Sequence, residues 1–242
     1  MHRRSQALLE PRKSPVQARS TASVDAILEA TIQVLLRVGK ERLTTTRVAL
    51  RAGVSVGTLY QYFPNKSALL QAVLKRHLEE VTEAVERVCL EQKANTLQEV
   101  ATALINTFLE AKMRDAKASV ALYSVSSDVD GAKIAQQMGI RSNKAIVGML
   151  ATGCQALSKD PQLIASKVYG AMAGISRRLL ESGAPAEQFD TLRQELIFFV
   201  CAYLEACSVR ITPPAHQPVK TTRAALVLTN TSFAPRLPVK RD

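Results

Sequence analysis

Clustered metal ligands are missing from this sequence. Its four cysteines, Cys89, Cys154, Cys201 and Cys207, form no C-x-x-C pair, and His2, His77 and His216 do not gather around them. A structural zinc site needs such ligands at short spacings, so no metal is expected. Cysteines this scattered, in a chain able to bury a core, read as reduced, buried thiols of an intracellular protein. Cys201 and Cys207, six apart on a helix, face different ways and make no redox pair. Also absent is any run of about 18 apolar residues, which excludes a membrane-spanning helix. The basic N-terminus is followed by no apolar signal-peptide core, and a cytoplasmic location is expected. No nucleophile–base pair and no Gly-rich phosphate loop occur, and Asp128 and Asp130 beside Gly131 lack the further oxygen ligands of a calcium loop. Neither an enzyme nor a cofactor is therefore expected. Glycine and proline number only ten each, too few for a fibrous or disordered chain.

What is present is a chain of 242 residues, 47% hydrophobic, long enough for a substantial core. Its net charge of +11 is unevenly spread. Residues 1–76 hold 13 Lys and Arg against 4 Asp and Glu, residues 77–208 hold 13 against 16, and residues 209–242 hold 6 against 1. A basic N-terminal part on a nearly neutral middle suits a nucleic-acid-binding head on a separate body.

Apolar periodicity near 3.6 runs through the chain, and no alternating strand pattern precedes residue 208. Residues 1–22, with Arg3, Arg4, Arg12, Lys13 and Arg19 among polar residues, read as a flexible basic arm. A helix follows on Val24, Ile27, Leu28, Thr31, Leu35 and Val38, capped by Ser23 and closed by Gly39. Two short helices, Thr45 to Ala52 and Val56 to Phe63, flank Gly53-Val54-Ser55, and a longer helix starts near Ser67. These make a DNA-binding head over 23–75. Helices are expected at 97–113, 117–126, 132–157, 162–182 and 186–207, forming a body over 76–208. Residues 209–242, rich in proline and basic side chains, read as a disordered tail.

The stretch from Leu43 to Lys66 carries the functional signal. Thr44 or Thr45 can cap the first short helix, Gly53 supplies the left-handed turn, and Ser55 can cap the second. Leu59 and Phe63 are four apart and face the core, which leaves Val56, Gly57, Thr58, Gln61 and Tyr62 on the opposite face with Tyr60 to the side. That face holds a small apolar group for a thymine methyl, bare backbone, hydroxyls and an amide able to pair with adenine, as a major-groove helix requires. Lys66 and the tyrosine hydroxyls suit phosphates.

Residues 24 to 80 resemble the DNA-binding domain of the tetracycline-repressor (TetR) family, through Thr44-Thr45, Ala52-Gly53-Val54-Ser55, Gly57-Thr58-Leu59-Tyr60, Tyr62-Phe63, Asn65-Lys66 and Leu69-Leu70. The resemblance implies an all-α fold with a helix-turn-helix three-helix head and a helical ligand-binding and dimerisation body. It implies phosphate contacts from Thr45, Tyr60, Tyr62 and Lys66, groove contacts from Val56, Gly57, Thr58 and Gln61, and contacts near Thr46 and Arg47. Leu50 departs from the polar residue usual at its position.

In the body, Phe108, Met113, Tyr123, Met138 and Met149 are candidates to line an effector cavity. Gly170 and Gly174, with Val168, Ala171, Met172, Ile175, Leu192, Leu196, Phe199, Val200, Tyr203 and Leu204, fit a two-fold homodimer interface or packing within one protomer. The expected function is a repressor released from a pseudo-palindromic, double-stranded DNA operator by a small-molecule effector. The alternative is a helical scaffold whose basic head meets another acidic partner.

Overall fold

The computed structural model describes residues 18–183 and 186–209. The rest of the expected basic arm (1–17) and the tail beyond residue 209 lie outside the described residues. Within them the architecture is all-α: α1 (Ala18–Arg42), α2 (Thr45–Ala52), α3 (Val56–Tyr62), α4 (Lys66–Glu91), α5 (Leu97–Met113), α6 (Ala116–Ser124), a 3-10 turn (Ser126–Asp128), α7 (Gly131–Leu150), α8 (Pro161–Glu181) and α9 (Ala186–Cys207). No strand occurs among the described residues, where Leu157 and Ser208 form an isolated antiparallel bridge.

Several ends differ from expectation. Helix α1 begins at Ala18, so residues 18–22 belong to it and not to the arm. Once a helix is nucleated, adding residues such as Ala18 and Ala22 costs little. Its regular course breaks at Gly39, in a backbone conformation (φ 76, ψ 168) open to glycine and strained for other residues. Helix α7 stops at Leu150 rather than 157, because the following residues bond elsewhere. Thr152 Oγ1 donates to the Met149 carbonyl (2.9 Å), and the main chain at Ala156 and Ser158 pairs with Val209 and Cys207 (2.8 and 2.7 Å). The expected 117–126 helix is shorter, Ala116–Ser124, and tightens into the 3-10 turn.

Two buried clusters organise the packing. The body cluster joins α4, α5, α7, α8 and α9 through Val85, Leu104, Ile105, Ile146, Ile164, Met172, Leu196 and Val200. The second contains Ile27, Leu35, Val48, Leu59, Phe63, Leu69 and Val73 of the head together with Leu122, Val125, Val129, Ile134 and Met138. The head therefore does not close on itself at residue 75: two short helices leave too little apolar surface for an independent core, and α6 with the start of α7 completes it. Polar ties run along the same seam, from Lys40 to Asp128 (3.2 Å) and from Gln71 Nε2 to the Val129 carbonyl (3.3 Å).

Cys89 and Cys207 are buried, as expected of core thiols, whereas Cys154 is exposed and Cys201 half-buried. Cys154 lies in the turn after α7, with Sγ directed at the Ala94 carbonyl (2.6 Å).

Candidate nucleic-acid interface

The turn between α2 and α3 is built from the residues that the spacing singled out. Thr44 is extended (φ −128, ψ 152) and its hydroxyl accepts from the Arg47 N–H at 3.3 Å, capping α2. At the other end Gly53 adopts the left-handed conformation (φ 69, ψ 27). Its N–H reaches the Leu50 carbonyl (3.3 Å) and the Val54 N–H reaches Ala49 (3.0 Å). This double bond pattern satisfies the last carbonyls of α2 and fixes the direction in which the chain leaves it. Ser55 then caps α3, accepting from the Thr58 N–H at 2.9 Å and sharing a hydrogen bond with the Thr58 hydroxyl (2.8 Å). Asn65 caps α4 through the Ala68 N–H at 2.8 Å.

Burial sorts the faces. Leu59 and Phe63 are 0% and 1% exposed and anchor α3, while Val48 and Ala49 anchor α2. Val56, Gly57, Tyr60 and Gln61 are exposed, and Thr58 and Tyr62 are half-buried. Tyr62 packs on the head core, which the helical wheel alone had turned outward. The hydroxyls of Thr45 and Tyr60 lie 3.0 Å apart and join the start of α2 to the middle of α3. Thr44, Thr46, Ser55, Val56, Gly57, Tyr60 and Gln61 are thus exposed on and beside α2 and α3, which the Thr45–Tyr60 bond ties together.

Two of the expected contact residues point elsewhere. Arg47 donates through Nη1 to the Arg42 carbonyl, on the α1 flank of α2. Lys66 donates to the Lys40 carbonyl at 2.6 Å, holding the chain just after the break at Gly39. The spacing of these cations is visible in the sequence, but the carbonyls that the bent end of α1 offers them are not.

The five candidate effector residues do not converge. Phe108 and Met149 belong to the body cluster and Met138 to the head cluster, while Met113 and Tyr123 are half-buried. Around Phe108 and Tyr123 the structure adds groups that the sequence reading missed. Lys112 Nζ sits 5.3 Å from the Phe108 ring centre, and the Arg177 guanidinium sits 5.1 Å from that of Tyr123 and bonds Glu181 at 3.0 Å. Burial, aided by Arg177, holds the Lys112 ammonium down to about 8. His77 Nε2 lies 3.1 Å from the Ser119 hydroxyl, which itself donates to the Lys112 carbonyl at 2.7 Å. With the serine proton committed to that carbonyl, Nε2 carries the ring proton and donates. Burial, with Lys112 adding and Asp115 opposing, lowers His77 to about 4. The signal in the sequence was Phe108 and Lys112 four apart on one helix face; the partners from α4, α6 and α8 needed the fold.

A capped helix pair joined by a left-handed glycine, with an exposed polar edge on a basic head, defines a DNA-binding helix-turn-helix protein. Residues 27–73 match the family of bacterial regulatory proteins called tetR, and residues 96–204 match the tetracyclin repressor-like C-terminal domain. The chain is 42% identical over 64 residues to the HTH-type transcriptional repressor KstR of Mycolicibacterium smegmatis, a match covering 26% of this chain and 31% of that protein. It thus spans under a third of that relative's length. It is 24% identical over 181 residues to the HTH-type transcriptional regulator BetI of Yersinia pestis, covering 74% of this chain and 89% of the relative. Among solved structures, a protein from Mesorhizobium loti assigned to the TetR family of transcriptional regulators superposes with a TM-score of 0.64. Its identity is 20%, with coverage of 80% of this chain and 100% of that one. The chain belongs to the tetR family and is a DNA-binding transcriptional regulator. The scaffold alternative is not favoured. None of the described helices is long and apolar enough to cross a membrane.

Proposed function

We propose that the chain is a cytoplasmic repressor that acts by binding, not catalysis. It sits as a homodimer on a pseudo-palindromic operator and is released by a small molecule held in its body. Val56, Gly57, Thr58 and Gln61 read base edges, and Thr45, Tyr60 and Tyr62 position the head on phosphates, with Thr44, Thr46 and Ser55 beside them. Arg47 and Lys66 support that edge from behind.

The observation that carries ligand control is helix α6. Leu122, 0% exposed, belongs to the head core, while its neighbour Tyr123 meets Arg177 of α8. A ligand that packs on Phe108 and Met113 of α5 and shifts α6 at Tyr123 moves a wall of the head core with it, and Met138 and Met149 lie along α7 on the two sides of that seam. Such a ligand acts only if it binds the DNA-incompetent arrangement more tightly than the competent one. For the dimer, the support is on α8 and α9. Val168, Met172, Leu196, Val200 and Leu204 are used up inside the protomer, whereas Phe198 (71% exposed), Phe199 (53%) and Leu163 (46%) remain outside. A side chain added at Gly170 or Gly174 would meet nothing within 4 Å, so that surface lies open to a second copy.

Selection of duplexes by the purified full-length protein, followed by anisotropy titration with the recovered sequence, tests the reading. Binding that prefers the selected duplex over a scrambled one, and weakens steeply with salt, is expected. Equal binding to both duplexes overturns it, and a screen in which metabolites only strengthen binding replaces induction by corepression.

A further inference from the structure

We propose that the cleft between α1 and α2 is a docking site for an acidic segment of a partner protein carrying an apolar side chain. This goes beyond the DNA-binding reading and uses a different flank of the head. The cleft is an open groove of about 660 Å³ walled by Arg37, Arg47 and Arg51, with no carboxylate among its lining residues. Two of the guanidiniums are aimed by fixed bonds: Arg51 Nε donates to Gln33 Oε1 at 2.6 Å, and Arg47 Nη1 donates to the Arg42 carbonyl. Each keeps its remaining N–H groups for a ligand, since a guanidinium carries five donors in a planar fork. No carboxylate pairs with Arg37 among the described residues.

The second feature is apolar. Val34 and Val38 line the cleft, and Leu50 stands on its lip with 82% of its surface exposed. A phosphodiester backbone offers a leucine only the edges of its sugars. The cleft also opens away from the DNA-reading edge: Thr45 of α2 turns toward Tyr60 of α3, whereas Arg51 turns toward Gln33 of α1. This chain's own ends are poor occupants, because residues 209–242 hold 6 basic against 1 acidic side chain, and the first 17 residues are basic as well. Charge complementarity together with an exposed leucine selects a carboxylate-bearing segment with an apolar residue between its acids.

The test is fluorescence anisotropy on the full-length protein, with two labelled probes: a short peptide of alternating Glu and Leu, and a matched peptide of alternating Glu and Ser. The Glu/Leu probe should bind roughly tenfold tighter, the effect of burying one leucine-sized group at each surface. Leu50→Gln, at a position too exposed to disturb folding, should abolish that preference while leaving affinity for the selected duplex unchanged. Arg37→Glu should weaken both probes. Binding of the Glu/Leu probe should persist on protein already saturated with DNA. Equal affinity for the two probes, an unaltered preference in Leu50→Gln, or displacement of the probe by DNA would each overturn the proposal, the last by returning the arginines to the DNA interface.

Discussion

Replacing Gly57 by Ala should make the protein more stable and a worse DNA binder. Gly57 is the second residue of α3, after the Ser55 cap, and has ordinary helical geometry. A Cβ built there meets only the Ser55 hydroxyl oxygen at 3.7 Å, an ordinary contact, so alanine fits without strain. Glycine in a helix costs about 0.5–1 kcal/mol relative to alanine, and the first turn lies at the lower end. The melting temperature should rise by about 1–3 °C in a chain of this size. On DNA the sign reverses. A methyl group where bare backbone meets base edges acts as overpacking, at about 1–3 kcal/mol, which is roughly a 5- to 150-fold loss of affinity. Thermal melts and operator titrations of the same preparation read both quantities. Gly53→Ala is the contrasting control: nothing lies within 4 Å of its Cβ either, but φ is +69, so alanine there costs about 1–2 kcal/mol of backbone strain. If Gly57→Ala melts higher yet binds the operator unchanged, Gly57 does not approach DNA. If it melts lower, the account of α3 itself is wrong.

Gln61→Ala should change base preference at one operator position with little change elsewhere, measured by repeating the duplex selection; an unaltered preference at every position removes Gln61 from base readout. For His77, the folded value near 4 lies below the ordinary 6.5, so the unfolded chain holds more protons between those pH values. Stability should fall as pH drops from 6.5 towards 4, by no more than about 3 kcal/mol, and His77→Gln should flatten that part of the denaturation profile. Lys112 is held near 8 rather than 10.5, so its charge opposes folding at neutral pH. Lys112→Met should therefore stabilise the protein by about 1–2 kcal/mol at pH 7, after the loss of the Phe108 cation–π contact. The wild type should also gain stability from pH 8 to 10.5, a slope that the variant lacks.

The short helices of the head were legible because their ends are marked by residues with one mechanical use each. Thr44, Gly53, Ser55 and Asn65 do at the chain level what caps and left-handed turns require, and Leu59 with Phe63 fixes which way α3 faces. In the body, α5 was found at Leu97–Met113 as the periodicity predicts, since Thr96 caps it and Glu99 reaches back to the Thr96 N–H at 2.9 Å. What local pattern could not give was anything decided across the chain. Tyr62 is half-buried because one side of its ring packs against the head core, and Lys66 bends to a carbonyl freed by the break at Gly39. Met138 joins the head rather than the body because α7 starts beneath it. The grouping of His77, Lys112, Ser119 and Arg177 draws on four helices, and no spacing within one helix announces it.

The open face of α8 and α9 bears on how such a regulator responds to its own abundance. With Phe198 and Phe199 outside and bare backbone at Gly170 and Gly174, a lone protomer carries an apolar surface that pairing would cover. In the proposed homodimer, where protomers are scarce, the paired form would grow with the square of their concentration, and DNA occupancy would follow it. A twofold change in supply would then read out as a fourfold change at the operator, a threshold set by two helices far from the DNA.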